Sequence, residues 1–298
     1  MKTVVVGGNG WVARTAISHY LESESRSSDQ IIVYGSKARL SKPISNVCYP
    51  IEIWNPKKES FQIETFVPAA FLTLDKFAGI TPQQYYYQNI QLIDKACEYI
   101  KLNSPNKCIL FSSGITLIPE DQVRHSDSKV MYRNLKLEEE SKIRDACRKS
   151  GTSLVVCRLF NASGRFVANH EHFALANFLF QGLTQGKVEV KNPSLVWRRY
   201  ADLGQVFEIC DLLVNEHEYI SFESGGVLVE LHELAHRVSE FLGVPFLGDS
   251  INQDSVECYF SKSSFFEELA VKKGVNLLNL ERQIGETKKG IEEIIYNS

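Results

Sequence analysis

The chain predicts an α/β fold: a Rossmann-type, doubly wound parallel sheet with a smaller, interleaved C-terminal substrate-binding part. Three observations predict it. Short β-branched or aromatic runs alternate with helical patterns through the first half of the chain. The first run ends in a glycine-rich turn that opens directly into a helix. After about residue 165 the alternation blurs, yet no flexible linker separates the halves. On this reading residues 1–165 form a nucleotide-binding domain, and 166–298 form a C-terminal part from which segments return to it.

The elements follow in order. Val4-Val5-Val6 is a buried strand, and a helix runs from about Trp11 to Leu21 into a polar loop from Glu22 to Asp29. Ile31 to Tyr34 is a strand stopped by Gly35. Thr65 to Ala70 is another, provided Pro68 lies at its end. Thr81 is the N-cap of a helix reaching Ile100, with Pro82 in its first turn. Cys108 to Phe111 is a strand running into Ser112-Ser113-Gly114. A helix over 129–149 ends at Gly151, and Leu154 to Cys157 is the next strand. Beyond it, His172 to Gln181, Asp202 to Val214 and Leu231 to Leu242 read as helices.

Composition narrows the function. A 298-residue chain that is 44% hydrophobic and 23% charged can bury a large core. A net charge of −3 without a basic cluster excludes nucleic acid as an expected partner. No apolar run reaches membrane-spanning length, so no membrane partner is expected. Seven scattered cysteines with no Cys-x-x-Cys pair argue for reduced thiols, a cytoplasmic location and no cysteine metal site.

Tyr132 and Lys136 carry the chemistry. Four residues apart on a helix, they share a face, and a lysine cation beside a phenol favours the phenolate. Such a tyrosine can exchange a proton near neutrality. Gly7-x-x-Gly10-x-x-Ala13 sits between the first strand and helix, where glycines admit a pyrophosphate to the helix N-terminus. Gly7, Asn9, Gly10, Trp11 and Val12 are the residues expected to line it. The second strand ends in Tyr34-Gly35-Ser36-Lys37-Ala38-Arg39, which has two cations and no acid to hold a ribose 2′-hydroxyl. Ser36, Lys37 and Arg39, with Arg14, therefore point to a 2′-phosphate and to NADP, with NAD as the alternative cofactor. Ser113 lies at a strand's C-terminal end, where open α/β sheets bind ligands.

In this order, Gly-x-x-Gly-x-x-Ala, Ser-Ser and Tyr-x-x-x-Lys resemble the short-chain dehydrogenase/reductase superfamily. The pattern is most similar to its extended branch, the NAD-dependent epimerase/dehydratase enzymes of nucleotide sugars. Ala69-Ala70, Asn89 and the segment Cys157-Arg158-Leu159-Phe160-Asn161-Ala162-Ser163-Gly164 resemble further family motifs, so the similarity spans almost the whole chain. The resemblance implies Tyr132 as general acid/base and Lys136 as the residue that holds the nicotinamide ribose and tunes the tyrosine. It implies Ser113 as the group orienting the reacting oxygen. Ala69, Ala70, Asn89 and Phe160 would then line the cofactor.

Where the family's dehydratases carry Asp-Glu after the hydroxyl residue, this chain has Gly114-Ile115, which argues against dehydration. Val-Tyr after the serine motif becomes Thr116-Leu117, and Ala13 replaces the third glycine. Asn161, His170, Arg198 and Arg199 are the candidate contacts for the nucleotide sugar, with His172 beside His170. Two helices, about 82–100 and 129–149, would by resemblance pair with a second subunit in a homodimer.

Reduction of a 4-keto sugar nucleotide by NADPH is the first expectation and NAD-dependent 4-epimerisation the second. A non-catalytic NADP sensor is a third reading. His232-Glu233-Leu234-Ala235-His236 also fits a zinc peptidase pattern. The apolar face Leu231, Leu234, Ala235, Val238 and Leu242 leaves both histidines on the flank, so a surface helix is expected there and no metal.

Overall fold

A computed structural model of the chain describes residues 1–22, 27–44, 47–167, 169–248, 250 and 252–296. Part of the polar loop expected after the first helix, residues 23–26, lies outside them. The chain divides into two compact units, Met1–Arg158 with Phe207–Phe222, and Leu159–Val206 with Glu223–Ser298.

In the first unit, β1 (Lys2–Val6), β2 (Ile31–Gly35), β3 (Arg39–Leu40), β4 (Pro50–Ile53), β5 (Ile63–Pro68), β6 (Lys107–Ser113) and β7 (Ser153–Leu159) share one sheet. With the strand Tyr219–Glu223 at one edge, the order runs Tyr219–Glu223, β7, β6, β5, β1, β2, β4, β3. β1 pairs in parallel with both β2 and β5, Val5 lying opposite Val33 and Val67. The order reverses at β1, so β1 and β5 end where such sheets leave a ligand crevice. Val4, Val5 and Val6 are fully buried, as a strand covered on both faces requires.

Helix α1 (Trp11–Glu22) follows β1 and α2 (Pro82–Asn103) follows β5. Thr81 caps α2 as its sequence predicts: its hydroxyl accepts from Gln84 N, while Gln84 Oε1 accepts from Thr81 N. The helix carrying Tyr132, Asp127–Ser150, packs along α2 and ends at Gly151 in the left-handed conformation. Pro68 does terminate its strand, which leaves Ala69-Ala70 just beyond the sheet. Ser112 and Ser113 are the last residues of β6. The short strands β3 and β4, which complete the sheet beyond β2, are not visible in the sequence pattern; they are mostly exposed and carry no apolar alternation.

Residues 207–222 return to this unit. Phe207 stacks on Phe111 at 5.9 Å, and the Tyr20 hydroxyl donates to Asp211 Oδ1 at 2.7 Å. In the second unit the strand Ser194–Asp202 runs antiparallel to Val227–Glu230 and parallel to Asn161–Ser163 and Asn252–Tyr259. Helices Ala174–Gln185, Leu231–Leu242 and Leu280–Tyr296 pack together beside it. The expected helix from His172 begins only at Ala174, after a single tight turn over His170–His172.

Candidate active site

The nucleotide-binding turn is built from backbone. Gly7 has φ +129°, and a Cβ there would come within 3.0 Å of the Ala69 carbonyl. The turn can therefore lie against Ala69-Ala70 only with glycine at this position. Gly7 N and Gly8 N both donate to Tyr34 O, and Gly10 N donates to Gly7 O. The first intrahelical bond of α1 runs from Arg14 N to Gly10 O, so the amides before it point out of the helix N-terminus. Trp11 and Val12, half-buried, occupy that first turn. This arrangement fits the diphosphate of a dinucleotide.

The neighbouring side chains divide into outward and inward groups. Ser36, Lys37 and Arg39 are all exposed in the segment after β2. Arg14 is not: its guanidinium is buried and donates to Pro43 O at 3.1 Å, so it is engaged inside the unit. Asn9 Oδ1 accepts from Lys42 N at 3.0 Å. Asn89, fully buried, accepts from Leu72 N at 2.8 Å and donates to Leu72 O and Tyr85 O. It pins the chain two residues after Ala70, and Tyr85 fixes the same carbonyl through its hydroxyl at 2.6 Å.

Ser113 is buried, and its Oγ accepts from Ile115 N at 3.3 Å. The Tyr132 helix is tied to that strand end on two sides. Lys136 Nζ donates to Phe111 O at 3.3 Å, and Arg133 Nε donates to Ile118 O at 2.8 Å. Tyr132 is half-buried, its ring edge-on to Phe71 at 5.8 Å, and its hydroxyl has no hydrogen-bonding partner among the described residues. That leaves the hydroxyl available to a ligand.

Lys136, four residues along the helix from Tyr132, already has partners of its own. Its ammonium pairs with Glu139 Oε2 at 2.8 Å and lies 3.7 Å from the centre of the Phe71 ring. Both partners are almost fully buried. Desolvation raises the Glu139 carboxyl above its ordinary value, with Lys136 pulling the other way. One residue on, Glu140 accepts three bonds from Arg158, two from Nε at 3.0 and 3.3 Å and one from Nη2 at 2.7 Å.

Phe71 and Glu139 are thus partners of Lys136 that sequence reasoning missed. Phe71 directly follows Ala69-Ala70. Glu139 is hidden in the run Glu138-Glu139-Glu140, which reads as a solvated charge cluster. Helical spacing was the available signal, since Leu135, Glu139 and Ile143 recur on one face and all are buried.

The remaining candidates lie in the second unit. Phe160 N donates to Ser224 Oγ at 3.0 Å, and its ring meets Tyr259 at 5.1 Å. Asn161 Nδ2 donates to Tyr259 O at 3.1 Å and to Arg199 O at 3.4 Å. His170 stacks on Phe180 at 3.8 Å, while His172 lies in the same turn. Arg198 pairs with Glu257, and Arg199 donates to Ser261 O and Ser263 O and lies 3.6 Å from Glu267.

The helix with His-Glu-x-x-His is the amphipathic surface helix expected, with Glu233 and His236 exposed, but His232 departs from its expected flank position. His232 is buried, its Nδ1 3.3 Å from Glu230, whose carboxylate caps the helix by accepting from His232 N and Glu233 N. Glu233 pairs outward with Arg237, and His236 is half-exposed beside Glu240. The two histidines do not converge on a cleft. Among the described residues no group of three or more potential ligands gathers. No helix among them is long and apolar enough to cross a membrane.

The parallel sheet, the glycine turn and the tyrosine–lysine helix give the chain the Rossmann-type architecture of the extended short-chain dehydrogenases/reductases. The family model described as NAD dependent epimerase/dehydratase family matches residues 3–221, and the chain belongs to that family. No curated protein sequence matches the chain.

Solved structures share its fold at low identity. UDP-glucose 4-epimerase of Thermus thermophilus in complex with NAD aligns with a TM-score of 0.72 at 17% identity, covering 98% of this chain and 99% of that one. The Thermotoga maritima UDP-glucose 4-epimerase with UDP-glucose aligns at 0.70 and 17%, covering 99% and 100%. The UDP-N-acetylglucosamine 4-epimerase of Methanobrevibacter ruminantium aligns at 0.70 and 14%, covering 100% and 99%.

Proposed function

We propose that the chain is an NADP(H)-dependent oxidoreductase that reduces a 4-keto sugar nucleotide, with Tyr132 as the general acid. The observation that carries the cofactor choice is the exposed segment after β2, which offers Ser36, Lys37 and Arg39 and no carboxylate. Gly7, Asn9, Gly10, Trp11 and Val12 would hold the diphosphate, and Ala69 and Ala70 would line the crevice that Asn89 braces. When bound, the nicotinamide supplies the hydride chemistry. Ser113 Oγ hydrogen-bonds the substrate oxygen, and Tyr132 gives that oxygen its proton. Lys136, one turn along the same helix, would hold the cofactor's ribose, its charge tempered by the pairing with Glu139. Phe160, Asn161, His170, Arg198 and Arg199 are the second unit's candidates for ligand contact.

An NAD-dependent nucleotide-sugar 4-epimerase is the second reading, favoured by the family and by the 4-epimerase neighbours. A panel of 4-keto sugar nucleotides assayed with NADPH and NADH tests the first. Stoichiometric NADPH consumption, lost in a Lys37→Glu/Arg39→Glu double variant, supports it. Protein that purifies with tightly bound NAD and interconverts 4-epimers without added cofactor supports the epimerase instead.

A homodimer through α2 and the Tyr132 helix accompanies either reading. Tyr86, Val130, Met131 and Asn134 line a shallow apolar groove between those helices, and Tyr87 beside them is exposed. Sedimentation of the protein, with Met131→Glu as the disrupting variant, tests that assembly.

A further inference from the structure

Glu139 stands one turn beyond Lys136 on the buried face of the same helix and holds its ammonium at 2.8 Å. A lysine has three N–H donors, and two of these are committed, one to Glu139 and one to Phe111 O. A buried carboxylate is costly unless it is paired, so the contact is not an incidental surface bridge. It makes the Lys136 ammonium, carried one turn along the helix from Tyr132, one half of an almost neutral pair.

The other groups around the pair do not replace its charge. Glu140 is taken up by Arg158 of β7. From β6 come the Phe111 carbonyl and Cys108, a thiol that burial pushes up, with its neighbours Cys147, Cys97 and Glu139 adding to the rise. The segment after β5 contributes the uncharged Phe71 ring. On α2, Tyr85 is raised chiefly by burial and then by Tyr132, with Asp75 a weaker influence. Glu139 is therefore the group whose charge opposes Lys136 directly.

We propose that Glu139 is a positioning residue that anchors Lys136 against β6 and screens its charge from Tyr132, setting the pH range over which the tyrosine transfers its proton. The inference rests on the reading of Tyr132 as the proton-transferring group. Removing the carboxylate charge leaves an uncompensated ammonium one turn from the phenol, which favours the phenolate.

The test is Glu139→Gln, which keeps the size and an acceptor oxygen but loses the charge. The alkaline limb of the kcat/KM profile for reduction, where Tyr132 must carry its proton, is expected to move to lower pH by on the order of one unit. An ultraviolet difference titration of tyrosinate, with Tyr132→Phe as the blank, should move the same way, and Glu139→Asp should stay near the parent. Glu139→Met carries the same expectation if the glutamine variant does not fold. A uniform fall in kcat/KM with neither curve displaced overturns the proposal and leaves Glu139 a structural partner. Turnover surviving in Tyr132→Phe would instead sink the functional reading, while the tyrosinate titration still decides what Glu139 does to Tyr132.

Discussion

The helix Asp127–Ser150 and the strand Ser194–Asp202 each place cations and a buried carboxyl where sequence motifs expect a ligand, and they use them differently. On the helix, Lys136 is anchored by Glu139 and Phe111 O, while the Tyr132 hydroxyl beside it has no partner among the described residues. On the strand, Arg198 and Arg199 are absorbed by Glu257, Glu267 and the carbonyls of Ser261 and Ser263. The strand's buried carboxyl, Asp202, accepts from Gln205 N at the start of the next helix, and no cation among the described residues helps to keep it charged. A motif thus names a residue type, but its chemical availability depends on what the folded chain has already given it to bind.

The largest test of that contrast is Tyr132→Phe. Loss of a general acid should lower kcat by roughly 10²- to 10⁴-fold with thermal stability unchanged, read by steady-state kinetics and a melting curve. Retained turnover would erase the distinction between the two regions. On the strand side, Gly226→Ala should act on folding alone. Gly226 has φ +101°, and a Cβ there would sit 2.0 Å from the Tyr200 carbonyl oxygen. A cost on the order of 3 kcal/mol or more is expected in urea denaturation.

Asp202 sharpens the comparison through pH. Burial pushes its carboxyl up to about 6, against the opposing bonds from the Gln205 and Gly204 amides. A carboxyl raised on folding stabilises the protein below its unfolded value, and that contribution is lost as pH rises towards 6. Asp202→Asn should keep the helix cap, flatten the stability profile between about pH 4 and 6, and gain up to about 3 kcal/mol at pH 7. An unchanged slope in denaturation midpoints would show that Asp202 is not the group responsible.

The smallest effect is expected from Arg199→Ala, about 1–2 kcal/mol of stability from lost hydrogen bonds to Ser261 and Ser263. If KM for the nucleotide sugar stays within twofold, its structural duty is its whole duty. A rise of tenfold or more, at a modest stability cost, restores it as a ligand contact.

Much of the first unit was legible in advance because its signals are local. β1, the glycine turn and α1 follow from a β-branched run, residues that permit positive φ, and helical periodicity. Thr81 and Gln84, three residues apart with Pro82 between them, write a capping box and a helix start into one short stretch of chain. Long-range pairing was not legible. The sheet of the second unit joins Asn161–Ser163, Ser194–Asp202, Val227–Glu230 and Asn252–Tyr259, segments too far apart for any local pattern to register them. His232 likewise reads as a flank residue by periodicity, and only the fold buries it beside Glu230.

By itself the sequence determined the main alternation of strands and helices in the first unit, the glycine turn and the spacing that puts Tyr132 and Lys136 on one helical face, because backbone propensity and periodicity act over a few residues. Tertiary structure alone decided that Lys136 would face Glu139 and Phe111 O, that Arg14 would turn inward to Pro43, and that Arg198 and Arg199 would be held by Glu257 and by Ser261 and Ser263. Those choices depend on which partners folding brings within hydrogen-bonding range, and on the desolvation cost of leaving a buried charge unpaired.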